Sequence, residues 1–526
     1  MNPSLEMKGI TKRFPGVMAN QGIDLTLYPG EIHALLGENG AGKSTLMNIL
    51  TGIYVPNEGS IHIRGRQVNI KNPKSAVSMG IGMVHQHFKL IEPLTVAENV
   101  LLCFGKLPII LDKKMMEGQI REYSEKFKLE VDPGAKIWQL SVGEQQRVEI
   151  LKQLFLGVEF LILDEPTSVL TPQETVELFK TLRTMADHGK TVLFITHKLY
   201  EVVTFSDRIT VLRDGRSVDT GLTRAIDRKA LTRLMVGRDI ADITPVREDL
   251  SERAVALCLE GVTAMGDKGT PALKDVSFEI RAGEILGIAG VAGNGQKELS
   301  EVIAGLRRTM SGKIRLYKTE LTGATPRSIF RAGVAFIPED RMETGLVGSL
   351  NMPDNTMLRD YDSEACNQGG FLKKREIIRR TKEFVQLYDI KNTGINKPVS
   401  LMSGGNLQKL LIAREVNTRP KVLVAAYPVH GVDVGATEVI HNILLKQRAQ
   451  GSAILLISED LEELFNICDR VAAINSGRIT GIVKIGTVTQ DTYDEVGRMM
   501  LGYEQDEDSP EMPAPVHAAF QEGTVL

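Results

Sequence analysis

Short, uninterrupted apolar runs recur along the chain, and each stops at a turn rich in glycine or acid. IHALLG (32–37), FLILD (160–164), TVLFIT (191–196) and VLVAA (422–426) are the clearest. Runs of this length, bounded by turn signals, predict strands buried in a core. The first run leads into the glycine-rich GENGAGKS and then the apolar-periodic TLMNIL, which predicts strand, loop and helix in immediate succession. LSVGEQQRVEIL (140–151) opens another helix. KKMMEGQIREYSEKF (113–127) and KKREIIRRTKEF (373–384) have the charged, amphipathic pattern of helices with one buried face.

The whole pattern occurs twice. YPGEIHALLGENGAGKS returns as RAGEILGIAGVAGNGQKE, LSVGEQQRVEILKQL as MSGGNLQKLLIAREV, and RLMVGRD as RMMLGYE. Lys43 and Gln296 are 253 residues apart, as are Gln86 and Glu339. Ser141 and Ser403, Asp164 and Ala426, and His197 and Glu459 are each 262 apart, so the second copy carries a net insertion of nine residues between these motifs. The first copy spans 1–240 and the second 257–502. Between them, ADITPVREDLSERAVA (241–256) reads as a polar linker, and the acidic, proline-containing tail 503–526 is expected to be disordered.

Composition changes this picture little. With 526 residues, 42% apolar and 25% charged, the chain has the make-up of a soluble globular protein of about three domains of typical size or two larger ones. A net charge of −3 offers no electrostatic case for nucleic acid. Cys103, Cys258, Cys366 and Cys468 lack metal-ligand spacing and read as incidental thiols of a reducing cytoplasm. The N-terminal MNPSLEMKGITKRF lacks the apolar core of a signal peptide, and no apolar run approaches the roughly 20 residues that span a bilayer. Work at a membrane would require docking onto another protein.

The candidate chemistry is concentrated in the first copy. GENGAGKS places Gly37, Glu38, Asn39, Gly40, Ala41, Gly42, Lys43 and Ser44, followed by Thr45, between a strand and a helix. Glycines let loop N–H groups point at phosphate oxygens, and the helix N-terminus adds positive potential. Lys43 is expected to reach the outer phosphates and Ser44 to ligate magnesium. Asp164 and Glu165 end the FLILD strand. One acid there can hold the metal shell and a second can polarise water; helix capping by DEPTSVLTPQE is the structural alternative. His197 ends the next strand, a position that serves structure or catalysis. Ser141, opening its helix, offers N–H groups to an anion.

Together these residues resemble the ATP-binding cassette family, over nearly the whole chain. Gly37–Ser44 match its Walker A loop, Asp164 and Glu165 its Walker B acids, Gln86 in GMVHQHF its Q-loop, Ser141-Val-Gly-Glu its signature motif and His197 its switch histidine. Phe14 stands where the family stacks an aromatic on adenine, a core role being the alternative. His85 and His87 read as loop residues, not metal ligands. Thr171 departs from the family, which usually places Asp there. The resemblance implies an α/β fold: two P-loop cassettes in tandem, each a RecA-like core with an antiparallel β subdomain and a helical subdomain. ATP and Mg2+ are the implied cofactors. Glu165, His197 and Gln86 would be catalytic, and Ser44, Gln86 and Asp164 would hold the metal.

The second copy has lost this chemistry. Gln296 stands for the lysine, Lys297 for the serine, Glu339 for the Q-loop glutamine, Ala426 and Tyr427 for the two acids, and Glu459 for the histidine. The adenine position reads TAMGDKG, without an aromatic. What survives is Ser403, Gly404 and Gly405 of MSGGN and Asp433 of GVDVG. Because cassettes of this family pair head to tail, the resemblance implies one live composite site, with Walker residues from the first copy and Ser403, Gly404, Gly405 and Asp433 from the second. Hydrolysis would then depend on domain closure.

The fused, half-degenerate arrangement with FPGV, LTVAENV, IPEDR and GVDVGA resembles ATPase subunits of monosaccharide and nucleoside importers. HQHF, AAYP and ISEDLEEL resemble the nucleoside subgroup, though Tyr427 and His430 depart from it. The implied cargo is a purine nucleoside, with a ribose- or galactose-type sugar next. A soluble tandem-cassette factor acting on ribosomes is a distant alternative, since such factors usually keep both sites and a long charged linker. Implied partners are two transmembrane permease subunits and an extracytoplasmic solute-binding protein, with no nucleic acid. Membrane contact would come through the partners alone, placing the chain at the cytoplasmic face of the inner membrane. Self-association stays open.

Overall fold

The computed structural model describes residues 2–15, 17–85, 88–103, 113–168, 170, 172–237, 247, 249–392 and 394–503. Gln86, His87 and Thr171, linker residues 241–246 and 248, and the tail from 504 onward lie outside the described residues. The chain divides into two compact units, Met1–Ile240 and Ala241–Leu526.

In the first unit the apolar runs become the centre of a six-stranded sheet. Its order is Arg216–Leu222, Arg208–Arg213, Ile32–Gly37, Thr191–Thr196, Phe160–Asp164, Ile81–Val84. All neighbours are parallel except the outermost pair, Arg216–Leu222 with Arg208–Arg213. Every residue of Ile32–Gly37 and of Thr191–Thr196 is buried, as uninterrupted apolar runs require when helices cover both faces of a sheet. Leu36 pairs with Thr196, and Asp164 with Ile195. This register brings the ends of three strands together, and in open parallel sheets ligands bind outside those carboxyl ends. A separate antiparallel sheet, ordered Val17–Leu27, Leu5–Phe14, Glu58–Ile63, Arg66–Val68, carries Phe14 at a strand end.

The second unit repeats both sheets. Its six strands run Val334–Ile337, Val422–Ala426, Ala453–Ser458, Ile285–Ala289, Arg470–Asn475, Arg478–Lys484, and its antiparallel sheet contains Val255–Met265 and Pro271–Arg281. VLVAA is fully buried, as its pattern requires. The extra residues of this copy fall in an interval that includes a small hairpin, Asn367–Gln368 with Phe371–Leu372. Of the stretch 241–256, the described part lies on this unit: Arg247 donates to the carbonyls of Gly486 (2.7 Å) and Phe465 (2.6 Å), and Leu250 is buried.

The amphipathic stretches form helices Lys113–Lys126 and Lys374–Leu387. Ile120 is buried on the first, and Ile377, Thr381 and Phe384 on the second. Among the described residues no helix is long and apolar enough to cross a membrane. Cys366 and Cys468 are buried and Cys103 and Cys258 half-buried, with burial pushing all four thiols up.

Candidate functional site

The phosphate-loop candidate of the first unit hangs from the buried strand Ile32–Gly37 and feeds helix Lys43–Leu50. Gly40 and Gly42 have φ of 87° and 95°, a left-handed backbone that side chains resist. A Cβ on Gly42 would also come within 2.5 Å of the Ala19 carbonyl. Asn20, fully buried, donates to the Gly42 carbonyl at 3.0 Å and so fixes the loop from beneath. Gly42 supplies no side-chain cap, so the first turn of the helix keeps its N–H groups for an anion. Ser44 is exposed in that turn.

Lys43 is 6% exposed, and its ammonium donates to the carbonyls of Gly37 (2.6 Å) and Glu38 (3.0 Å). Burial lowers its pKa, against the opposing pull of Glu165, Asp164 and Glu38. The two Walker B carboxyls differ. Burial, reinforced by the Glu165 charge, pushes Asp164 up. The hydrogen bond from His197 holds Glu165 below its ordinary value, with burial opposing it. His197 Nδ1 lies 3.1 Å from Glu165 Oε1. Adjacent acids driven apart in this way suit one for a base and the other for a cation.

Removing the His197 ring takes away the largest influence that keeps Glu165 ionised. In a His197→Ala variant the Glu165 pKa should rise, so the acid limb of the turnover–pH profile should move to higher pH. An unmoved limb would mean that another group sets it.

Glu165 has φ 46°, in the left-handed region, and its N–H donates to the Ile195 carbonyl at 3.0 Å. Tyr427, at the same place in the second unit, has φ 49° and donates to the Ile457 carbonyl at 2.8 Å. Phe14 is half-buried, edge-on to Tyr54 with ring centroids 5.3 Å apart, and the Lys12 ammonium lies 5.4 Å from its centroid.

Ser141 caps its own helix, Val142–Phe155, in a capping box: its Oγ accepts from Glu144 N–H (3.3 Å), and Glu144 accepts from Ser141 N–H (2.7 Å). Ser403 makes no such cap; its Oγ accepts from Asn406 at 2.7 Å. Asp433 caps helix Val434–Ala449 by accepting from Ala436 N–H at 2.7 Å. Its other oxygen would lie 3.5 Å from a Cβ at Gly405, so Asp433 sits beside the start of the helix that Ser403 precedes. The structure thus groups Lys43, Ser44, Asp164, Glu165 and His197 in the first unit, and Ser403, Gly404, Gly405 and Asp433 in the second.

In the second unit's own loop, Gln296 takes the place of Lys43 and is held by the loop itself. Gln296, 2% exposed, donates to the Val291 carbonyl (2.8 Å) and accepts from Asn294 N–H (3.0 Å). Lys297 points to Asp267 at 2.9 Å, and Asp267 stands 253 residues after Phe14. Hydrogen bonds from Arg307 and Lys297 bring the Asp267 carboxyl down to about 2. Tyr427, half-buried near Glu459 and Glu339, has its phenol pushed far up by burial first and those charges second.

Two positioning side chains escaped the sequence reading. Glu201, 3% exposed, accepts from Thr196 (2.9 Å) and from Thr167, tying the strand before His197 to the turn after Glu165. Gln146, 1% exposed, donates to the Pro166 carbonyl at 2.7 Å and links that turn to the Ser141 helix. The repeat held a signal: Glu463 and Gln408 stand at the same 262-residue offset where the acids and histidine are lost.

Comparisons with known proteins agree with this architecture. A family model described as ABC transporter matches residues 20–168 and again 273–428. The chain is 43% identical to the nucleoside import ATP-binding protein NupA of Lactococcus lactis subsp. cremoris, over 95% of this chain and 98% of that protein. It is 42% identical to the glucose import ATP-binding protein TsgD13 of Haloferax volcanii, over 95% of each. It is 43% identical to the guanosine import ATP-binding protein NupO of Bacillus subtilis, over 96% of this chain and 98% of that one. With two matched cassettes covering more than half of its length, the chain belongs to the ABC transporter family.

Proposed function

We propose that this protein is the ATP-hydrolysing subunit of an importer and that its cargo is a purine nucleoside. Lys43, Asp164, Glu165 and His197, gathered at the strand ends of the first unit, carry the ATPase reading. Lys43 and the helix N-terminus bind phosphate, Glu165 takes a proton from the attacking water, and His197 keeps Glu165 ionised. Ser44 and Asp164, with Gln86, would hold magnesium. The donor set suits it: a raised, half-buried carboxyl beside a second acid gains from a cation. Among the described residues no cluster of His, Cys, Asp or Glu forms a metal cage. Magnesium ordinarily keeps waters and takes phosphate oxygens instead. When bound it would neutralise phosphate charge.

Ser403, Gly404, Gly405 and Asp433 are proposed to complete this site from the second unit. The open N-terminus behind Ser403 supports that role; the capping box at Ser141 does not offer the same opening. Phe14 is assigned to the adenine. Two permease subunits and an extracytoplasmic solute-binding protein are the proposed partners, with the chain peripheral at the cytoplasmic face.

The cargo rests on two relatives named for nucleoside or guanosine import and on the HQHF and AAYP segments. A monosaccharide is the second reading, favoured by the glucose-import relative. The test is uptake of labelled guanosine and labelled glucose in cells with and without this chain. Guanosine uptake that requires the chain is the expected result. Glucose uptake that requires it would replace the cargo, and indifference of both would remove the nucleoside and glucose assignments together.

A further inference from the structure

The surviving face of the second unit is pinned by one side chain from a distant segment. Arg341 follows strand Val334–Ile337 and opens the turn Arg341–Gly345. Asp340 caps that turn, accepting from the N–H groups of Met342 (2.8 Å) and Glu343 (2.7 Å), which fixes where the arginine starts. The guanidinium donates to the Gly404 carbonyl at 2.9 Å and to the His430 carbonyl. Gly404 opens the helix behind Ser403, and His430 lies in the turn that ends at Asp433. A Cβ would stand 3.0 Å from this guanidinium at Gly404 and 3.2 Å from it at Gly431, so the fork is wedged between the two segments.

The first unit solves the same problem differently. Phe88 holds the position 253 residues before Arg341, and the helix start is locked by the Ser141–Glu144 capping box. A capping box takes up two of the first amides, here those of Ser141 and Glu144. Behind Ser403 those amides carry no side-chain cap. Arg341 holds the same helix start through a carbonyl instead, which leaves its N–H groups available. A planar fork with several donors can bridge two carbonyls in fixed geometry, whereas an ammonium is a point charge on a flexible stem. Burial lowers the Arg341 pKa against the pull of Asp340, so the fork is held partly away from water.

We propose that Arg341 is a positioning residue for ATP hydrolysis, holding Ser403–Gly405 and the Asp433 turn in one register so that they engage nucleotide bound by the first unit. This inference rests on the composite-site reading.

The test compares Arg341→Gln, Arg341→Lys and Ser403→Arg in the full chain within its assembled transporter. Turnover, ADP affinity and melting temperature are measured for each. Arg341→Gln should lower kcat roughly 10- to 100-fold, the scale on which small misplacements act, with ADP affinity and melting temperature unchanged. Arg341→Lys should fall between it and the wild type. If Arg341→Gln turns over normally while Ser403→Arg is inactive, the inference is overturned and the composite site stands. Normal turnover in both removes the composite site, and the inference with it. A parallel fall of kcat, ADP affinity and melting temperature in Arg341→Gln would mark a general structural role and also overturn it.

Discussion

Glu165→Gln should lower ATP turnover by on the order of 10²- to 10⁴-fold, the range that a positioned general base supplies, while nucleotide still binds. The exchange keeps the shape of the side chain and an oxygen that can accept from His197. It removes the basic site. The charge lost at Glu165 also ceases to push Asp164 up. Asp164 should therefore ionise more readily in the variant, so the acid proposed to hold the metal is not weakened by the loss of its neighbour. Lys43 loses one of three carboxylates that favour its charged form but keeps Asp164 and Glu38. Steady-state turnover beside equilibrium ADP binding separates the two effects. Near-normal turnover would take the base role away from Glu165.

Ser403→Arg and Ser141→Arg should behave in opposite ways. An arginine at 403 fills the open helix start proposed to meet the γ-phosphate, and turnover should fall at least ~100-fold, the scale of losing one oriented donor. Ser403 caps no amide, so the melting temperature should scarcely change. An arginine at 141 destroys a capping box, at a cost of about 1 kcal/mol of stability. Its melting temperature should drop while turnover stays close to normal. One variant then loses activity without stability, and the other stability without activity. Equal loss of turnover in both would sink the asymmetric site.

The phosphate loop and its strand were legible because their signals are local. Buried runs a few residues long, glycines at fixed steps and a lysine at the first position of a helix all sit within one stretch. The second copy made loss of chemistry visible by simple comparison. Glu201 was hidden because a glutamate one helical turn after His197 looks like surface charge until its burial against Thr167 and Thr196 is seen. Arg341 was hidden by distance: its two acceptors lie 63 and 89 residues away. The capping difference between Ser141 and Ser403 was half-visible, since Glu144 against Asn406 is written in the sequence. The resulting geometry is not. Lys297 stands where the first copy has its serine, and only the structure shows its ammonium engaged by Asp267.

The left-handed residue at the end of the acid-bearing strand has a broader consequence. A non-glycine residue in that region costs on the order of 1–3 kcal/mol, and such strain is easily credited to catalysis. This chain contains its own control. Tyr427 carries no reacting group, yet its backbone matches that of Glu165 to within a few degrees of φ. The bend is therefore a demand of the fold, present in both halves whether or not the residue at it carries a reacting group. A gene that duplicates and lets one copy lose its reactive groups leaves behind a mould, and what the mould keeps separates architecture from reaction without a second protein for comparison.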